Sequence, residues 1–221
     1  MKDLVIFGTS TLAKLANYYA TQELGYKVVA FVVDEGYRTQ PNFLNLPVLA
    51  WPEFLTAYSV ADISLHVAVG YKSMRARAAI YDRVKVRGYE LINIVSTASY
   101  VANDVMLGDN NFVMPGVVIE AGVAINSNNV VWSNTTICHD TSVGSHNFIA
   151  ANNAIGGGVK IGNGSFLGFS SVVLQNLVIG SGVLVGAQSL VTRKVENLSK
   201  VQGSPARIVG KIDAICGVEV D

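Results

Sequence analysis

The sequence predicts two architectures in one chain, an N-terminal α/β domain of the small Rossmann-like βαβαβ type followed by an all-β parallel β-helix. Two observations support this division. In the first half, hydrophobic residues alternate between strand-like runs and helical spacing, and from Tyr100 onward they recur every six residues. We therefore expect residues 1–95 to form the α/β domain, residues 96–197 the β-helix and residues 198–221 a C-terminal extension.

Composition restricts the class of protein. The chain has 221 residues, of which 50% are hydrophobic and 14% charged, and sixteen basic residues balance sixteen acidic ones. This balance does not favour a nucleic-acid binder, and no apolar run approaches the roughly 18 residues of a membrane span or the core of a signal peptide. The sequence thus predicts a soluble, cytoplasmic protein without nucleic-acid or membrane partners. Cys138 and Cys216 form neither a disulfide framework nor a CxxC pair and are expected to be free thiols.

Three strands and two helices account for most of the predicted α/β domain. The expected strands are 4–8, 27–34 and 63–69. Apolar residues from Leu12 to Ala20 have helical spacing, and a second helix begins near Ser73 and ends at Gly88. The polar segment 36–45 is predicted to be a turn-rich connection.

The loop GTSTLAK (8–14) after the first strand is a candidate phosphate site. A glycine turn that leaves a strand and opens a helix directs backbone N–H groups at a ligand, which suits a diphosphate. Asp34 ends the second strand, where a carboxylate can accept hydrogen bonds from a ribose or a base, and Gly70 ends the third. The candidate nucleotide-sugar-binding residues are Gly8, Thr9, Ser10, Thr11, Asp34 and Gly70. The alternative is a packed lobe that binds nothing.

Sixteen consecutive hexads start at Tyr100. Val, Leu or Ile stands second in all sixteen, from Val101 to Val191, and Gly stands third in seven. This period predicts short strands joined by corners, with the second residue of each hexad pointing inward. Three hexads form one coil of the helix, so residues 18 apart are stacked. We attribute the third-position glycines to corners that need unusual φ and ψ. Three stacked asparagines predict a structural side-chain ladder. They are Asn111, Asn129 and Asn147.

The hexads, together with QGSPARIVG (202–210), resemble the hexapeptide-repeat acyltransferases, whose β-helix is left-handed and usually trimeric. An α/β domain ahead of that helix is similar to the sialic-acid O-acetyltransferase and nucleotide-aminosugar N-acetyltransferase group. The first loop of that group often reads G-x-x-G-H-A-K; Ala13 and Lys14 match it, and Leu12 replaces the histidine. The resemblance implies acetyl transfer from acetyl-CoA to the amino group of a dTDP-, UDP- or GDP-linked amino-deoxysugar in polysaccharide biosynthesis. It also implies a homotrimer with active sites in clefts between subunits.

His139 and Asp140 match the H-[DE] pair of this group. The resemblance implies that His139 is the general base and that Asp140, or alternatively Glu120, supports its ring. A histidine with a pKa near 6.5 can accept a proton from an amine at neutral pH and contributes about 10²–10⁴-fold to the rate. Gly157, one coil later, resembles the main-chain N–H donor to the thioester oxygen. The expected catalytic residues are therefore His139, Asp140 and Gly157, and the alternative for His139 is an exposed polar residue without a role.

Basic residues late in the chain suit the phosphates of coenzyme A, although a solvated basic face is the alternative. By resemblance, Ala187 lies in the groove that holds the pantetheine arm, and the GSPAR segment closes the last coil. The candidate acetyl-CoA-binding residues are Gly157, Lys160, Ala187, Lys194, Pro205 and Arg207.

His146 is expected to be a solvated corner residue, with a secondary substrate contact as the alternative. Seven residues separate it from His139, which moves the chain to another face, so no shared zinc site and no other metal is predicted. Trp132 is expected to pack, with stacking on a sugar or base as the alternative.

Two further functions stay open from the sequence. O-acetylation of sialic acid or of a polysaccharide sugar uses the same fold and base with a hydroxyl acceptor. A non-catalytic sugar-nucleotide-binding scaffold shares the fold alone, but the His-Asp pair and the GSPAR segment favour an enzyme. Serine acetyltransferases differ because their N-terminal domain is helical.

Overall fold

The computed structural model describes residues 2–70 and 72–220. The chain divides into two compact units, one made of Met1–Gly70 with Ala79–Ile94 and the other of Tyr71–Ala78 with Val95–Asp221. Each unit has its own hydrophobic core. Within the described ranges, no helix is long and apolar enough to cross a membrane.

The first unit is built on a six-stranded sheet. The elements up to residue 91 are β1 (Asp3–Phe7), α1 (Thr11–Gln22), β2 (Val28–Val33), a 3₁₀ helix (Glu35–Tyr37), β3 (Asn42–Phe43), β4 (Leu46–Ala50), α2 (Trp51–Ala57), β5 (Ile63–Val67), α3 (Met74–Val86) and β6 (Glu90–Leu91). The strand order is β3-β4-β2-β1-β5-β6, and all neighbours are parallel except β3 and β4. This confirms the predicted α/β class.

The segment predicted as a turn-rich connection contains more structure than expected. Asn42 to Ala50 form the antiparallel pair β3 and β4, and α2 follows at once. The pair closes through Leu44 and Asn45, which have φ values of 50° and 63°. A two-residue loop with two left-handed residues is a tight hairpin, and its strands are too short to show an alternating pattern.

The second unit is a parallel β-helix. Its strands, counted from the one that opens the eight-stranded sheet, are β7 (Ile94–Val95), β8 (Tyr100–Val101), β9 (Met106–Leu107), β10 (Phe112–Val113), β11 (Val118–Ile119), β12 (Ala124–Ile125), β13 (Val130–Val131), β14 (Thr136–Ile137), β15 (Ser142–Val143), β16 (Phe148–Ile149), β17 (Ala154–Ile155), β18 (Lys160–Ile161), β19 (Phe166–Leu167), β20 (Val172–Val173), β21 (Val178–Ile179), β22 (Leu184–Val185), β23 (Leu190–Val191), β24 (Ser199–Gln202) and β25 (Arg207–Lys211). The strands fall into three sheets of eight, six and five strands. Each strand from β8 to β23 occupies the first two positions of a hexad, as predicted.

The second residue of each hexad points into the core. These aliphatic side chains form one buried cluster along the helix, with only Val101 and Leu107 partly exposed at its beginning. Ile119, Ile137 and Ile155 are paired in register, so residues 18 apart do stack. Successive coils therefore repeat one local geometry, and a contact seen at one coil can be compared with its equivalent at the next.

The corner positions differ from the prediction in one respect. The fifth residue of the hexad, not the third, has the left-handed φ. The residues in this conformation are Asn110, Gly116, Gly122, Asn128, Asn134, Asp140, His146, Asn152, Gly158, Gly164, Ser170, Asn176, Gly182 and Gln188. The attribution of third-position glycine to unusual φ was wrong. A Cβ atom on Gly156, Gly162 or Gly168 would lie 2.6 Å from a backbone nitrogen of the next coil, so lack of space excludes side chains there.

The asparagine ladder forms as expected. The side-chain oxygens of Asn111, Asn129 and Asn147 accept the backbone N–H groups of Asn129, Asn147 and Ser165, at 2.9, 2.9 and 2.7 Å. All three asparagines are fully buried. The ladder thus satisfies backbone donors inside the helix wall.

The C-terminal residues close the helix and return along it. Strands β24 and β25 form an antiparallel hairpin after the last coil. The tail then binds the segment before α3, where Met74 N–H donates to Val218 O at 3.0 Å and Val220 N–H donates to Lys72 O at 2.9 Å. These contacts lie within the second unit.

Candidate active site

The nucleotide-binding residues predicted in the first unit meet at one edge of its sheet. The loop from Gly8 follows β1, Asp34 follows β2 and Gly70 follows β5, and these strands are adjacent and parallel. Gly8 has a φ of 123°, and a Cβ atom there would lie 2.7 Å from Ala68 O, so only glycine fits. The Ser10 side chain does not cap α1, although Ser10 is the residue before it. The first backbone N–H groups of α1 are thus not capped by Ser10, and they lie at the edge formed by the carboxyl ends of the strands. This edge is the usual position for a phosphate group in such sheets.

Asp34 has a partner that sequence reasoning missed. Its Oδ1 atom accepts a hydrogen bond from Arg83 Nη2 at 2.6 Å, and both side chains are about one-third exposed. The Arg83 guanidinium lies over the rings of Trp51 and Phe7, 4.9 and 5.4 Å from their centroids. No sequence signal relates residues 34 and 83, because they lie 49 residues apart on a strand end and a helix. Asp34 is therefore held in place before any ligand arrives.

His139 and Asp140 lie at the corner between β14 and β15. Asp140 Oδ2 is 2.9 Å from His139 Nδ1, so a neutral ring carries its proton on Nδ1 and has its lone pair on Nε2. The hydrogen bond to Asp140 raises the pKa of His139, and the negative charges of Asp140 and Glu120 add to the effect. This is the arrangement of a general base held by a carboxylate.

Glu120 lies one coil before His139 and binds its backbone, not its ring. Glu120 Oε2 accepts the His139 backbone N–H at 2.8 Å. Of the two carboxylates considered from the sequence, Asp140 therefore contacts the imidazole and Glu120 holds the peptide. The spacing of 19 residues is one coil plus one residue, and the stacking rule could have identified this contact.

Gly157 packs directly against the imidazole of His139. A Cβ atom on Gly157 would lie 2.7 Å from both Cε1 and Nε2 of the ring, so only glycine leaves the ring in this position. Gly158 N–H donates to His139 O at 2.9 Å, and Gly156 N–H donates to Val173 O at 2.9 Å. Among the described residues, no hydrogen bond is formed by the Gly157 N–H between them. An open donor therefore lies beside Nε2.

Two of the predicted coenzyme-A residues share a cavity. Lys194 and Arg207 line a space of about 290 Å³ together with Arg193 and Ala206, near the hairpin that closes the helix. Pro205 comes two residues before Arg207 and follows a cis peptide bond. Arg193 is at the same corner as Gly157, two coils further along. The stack of corners that contains Gly157 thus ends in a strongly basic region.

The remaining coenzyme-A residues lie elsewhere on the helix. Lys160 is exposed in β18, on a sheet face, and Ala187 is at the corner between β22 and β23, a different corner from that of His139. Within one chain they are therefore not grouped with Lys194 and Arg207.

His146 is not the solvated residue expected from the sequence. It is half-buried at a corner, and its Nδ1 atom is 2.9 Å from Asn128 Nδ2. Asn110 Nδ2 in turn donates to Asn128 Oδ1 at 2.8 Å, so His146 extends a second polar column. Trp132 is half-buried and packs against Phe148 at 5.6 Å. In the part of the chain that is described, no group of three metal-ligating side chains occurs.

Comparison with known families gives one match. The family described as "Bacterial transferase hexapeptide (six repeats)" matches residues 104–139. This stretch of the chain therefore carries the bacterial transferase hexapeptide repeat. No curated protein matches the chain.

Solved structures match over almost the full length. The acetyltransferase domain of PglB from Neisseria gonorrhoeae, in complex with acetyl coenzyme A, has a TM-score of 0.86 and 24% identity over 94% of this chain and 99% of that chain. PerB from Caulobacter crescentus, in complex with CoA and GDP-perosamine, has a TM-score of 0.76 and 25% identity over 95% and 98%. A mutant of the perosamine N-acetyltransferase from the same organism has a TM-score of 0.70 and 27% identity over 96% and 98%. These matches confirm the resemblance and the left-handed β-helix acyltransferase fold predicted from the sequence.

Proposed function

We propose that this protein is an acetyl-CoA-dependent N-acetyltransferase that acts on the amino group of a nucleotide-linked amino-deoxysugar. The observation that carries the proposal is the group formed by His139, Asp140 and Gly157. A base whose Nε2 atom is free to accept a proton packs against Gly157, beside an open backbone donor. Solved structures of the same fold with acetyl coenzyme A, or with CoA and GDP-perosamine, support the donor and the acceptor class.

The transfer needs one base and one oxyanion donor. The neutral amine of the sugar attacks the thioester carbon, and His139 Nε2 takes the proton that the nitrogen loses. The Gly157 N–H donates to the oxyanion of the tetrahedral intermediate, an interaction that can change the rate about 10²–10³-fold. The carbon–sulfur bond then breaks, and the thiolate of coenzyme A receives the proton from His139. The products are the N-acetyl sugar and free coenzyme A.

Direct transfer fits the state of the neighbouring thiol. Burial, and then the charge of Glu120, raise the pKa of Cys138, so its thiol stays protonated at neutral pH and is a poor nucleophile. No acyl-cysteine intermediate is needed.

The other residues bind the two ends of the substrates. The loop from Gly8 to Thr11, with Asp34 and Gly70, holds the diphosphate and the nucleoside of the sugar nucleotide. Lys194 and Arg207 bind the phosphates of coenzyme A in the cavity that they share, and Pro205 belongs to the segment that leads into Arg207. Lys160 and Ala187 complete the coenzyme-A site between neighbouring subunits of a homotrimer, since Ala187 lies at a different corner from His139. The enzyme acts in the cytoplasm, on precursors of a surface polysaccharide.

The test is release of free thiol from acetyl-CoA with a panel of dTDP-, UDP- and GDP-linked 3- and 4-amino deoxysugars. We expect release with one amino sugar and a fall of about 10²–10⁴-fold in kcat for His139→Ala, with unchanged acetyl-CoA affinity. Release only with sialic acid or another hydroxyl acceptor would replace N-acetylation by O-acetylation. Absence of release and of coenzyme-A binding would leave a sugar-nucleotide-binding scaffold.

A further inference from the structure

Backbone N–H groups at the corner between the five-stranded and the eight-stranded sheets are closed by side chains. Each N–H at the fourth hexad position donates to a serine or asparagine oxygen of the next coil, at 2.7–3.3 Å. The donors are Asp109, Ser127, Ser145, Asn163 and Ser181, and the acceptors are Ser127, Ser145, Asn163, Ser181 and Asn197. This corner therefore presents no run of open donors to a ligand.

At the corner that carries His139, a side chain caps the backbone N–H of His139 but not that of Gly157. Glu120 reaches across 19 residues and caps the His139 N–H, whereas the Gly157 N–H, one coil later, is open within the described residues. The coils here are in register, because Ile119 pairs with Ile137 and Ile137 with Ile155. The residue that stands to Gly157 as Glu120 stands to His139 is therefore Cys138.

Cys138 is too short and too weak an acceptor to repeat the contact made by Glu120. Its side chain ends at Sγ, two bonds before the carboxylate oxygen of a glutamate, and it is half-buried. No hydrogen bond joins its sulfur to the Gly157 N–H. Burial raises the pKa of the thiol, so it is not a charged acceptor. Within the described chain, no side chain of the preceding coil therefore closes the Gly157 donor.

We propose that Cys138 is a positioning residue, whose short side chain keeps the Gly157 N–H free for the thioester oxygen of acetyl-CoA while Glu120 closes the equivalent N–H at His139. The assignment rests on the function proposed above and identifies what sets the oxyanion donor. A residue at 138 that is long and ends in an acceptor closes the Gly157 donor. A residue at 138 that is equally long but lacks an acceptor leaves the Gly157 donor open.

The test compares Cys138→Gln with Cys138→Met in the full-length chain. The two side chains have similar length, and only glutamine carries an oxygen that can accept the N–H. We expect kcat to fall about 10²–10³-fold in Cys138→Gln, as for loss of one oxyanion donor, with little change in the KM for acetyl-CoA. Cys138→Met and Cys138→Ser should stay within several-fold of the original chain.

Hydrogen exchange of the Gly157 amide, followed by TROSY NMR, is the second readout and does not depend on activity. We expect fast exchange in the original chain and in Cys138→Met, and protection in Cys138→Gln. Equal losses of kcat in the Gln and Met variants would overturn the proposal, because bulk alone would then explain them. So would a protected Gly157 amide in the original chain, or full activity of Cys138→Gln with that amide protected. If the original chain transfers no acetyl group, the proposed function fails, while the exchange data still decide whether position 138 controls the amide.

Discussion

The immediate neighbours of His139 suit it to the proposed role of a base. Asp140 binds Nδ1, which leaves Nε2 with the lone pair, and Glu120 holds the peptide that carries the ring. Both carboxylates raise the pKa of His139, the hydrogen bond to Asp140 most of all. Because only the neutral imidazole accepts a proton, activity should rise with pH through this raised pKa.

Asp140→Asn should move the acidic limb of the pH profile of kcat/KM to lower pH. The substitution removes the charge that raises the pKa of His139, so the ring becomes neutral at a lower pH than in the original chain. Asparagine suits the backbone, since Asp140 has a φ of 58° and Asn176 has a φ of 57° at the same corner two coils later. Rate measurements between about pH 5 and 8 test this. An acidic limb that does not move would show that another group is titrating.

Gly157→Ala should displace the imidazole of His139. The new Cβ would lie 2.7 Å from Cε1 and Nε2, while the φ of Gly157 is not in the left-handed region, so the backbone accepts alanine. We expect kcat to fall about 10²-fold because the base is misplaced by about 1 Å. Thermal unfolding should change little.

Gly36→Ala is the control for Gly157→Ala, because a Cβ on Gly36 meets no atom within 4 Å. An active Gly157→Ala enzyme would mean that the ring has another productive position.

The coil is the element that unites stability with the site. In each hexad of a coil, the aliphatic second residue contributes to the core and the fifth residue turns the corner. Buried asparagines satisfy the backbone of the next coil. The same stacking that builds the ladder places Gly157 against His139. The candidate active site is thus a small variation on a structural repeat, in which the corner residues differ while the core positions stay aliphatic.

Asn129→Ala should destabilise the helix without changing the chemistry. Asn129 is fully buried, and its Oδ1 accepts the Asn147 N–H while its amide donates to Asn111 Oδ1 and Asn126 O. Loss of this side chain leaves buried groups unpaired and should lower the free energy of unfolding by about 1–3 kcal/mol.

Urea denaturation measures the change, and Asn126→Ala is the matched control because Asn126 is exposed at the same corner. Its effect should be within about 0.5 kcal/mol. Equal effects of the two substitutions would contradict a stabilising ladder.

The division of the whole chain does not follow a single cut in the sequence. Residues 71–78 group with the β-helix, although residues 79–94 group with the α/β unit. Met74 and Arg77 are buried, and Arg77 Nη2 donates to Asn128 O at 3.0 Å. Burial lowers the pKa of Arg77 to about 10. The short segment that contains Met74 and Arg77 is therefore part of the same unit as the β-helix, although it lies before the hexads in the sequence.

Two deletions test this organisation. Removing residues 1–90 and removing residues 1–70 should both abolish affinity for the sugar nucleotide, because Gly8 and Asp34 are lost in each. The longer deletion should also lower the melting temperature, since it removes Met74, Arg77 and the hydrogen bonds to the C-terminal tail. Calorimetry and nucleotide titration measure both effects. Retained affinity in either truncated chain would show that the nucleotide site lies elsewhere.

The sequence by itself determined the repeat, the inward residues and the 18-residue stacking, because one six-residue pattern is repeated sixteen times. It therefore identified His139, Asp140 and Gly157 as neighbours, and the α/β order of the first unit. Only the tertiary structure decided the partners of these residues. Arg83 beside Asp34 depends on long-range packing, and the capped amide at His139 depends on how far Glu120 reaches across one coil. Periodicity sets which backbone positions stack, whereas side-chain length and hydrogen-bonding capacity set which of those positions remain open to a substrate.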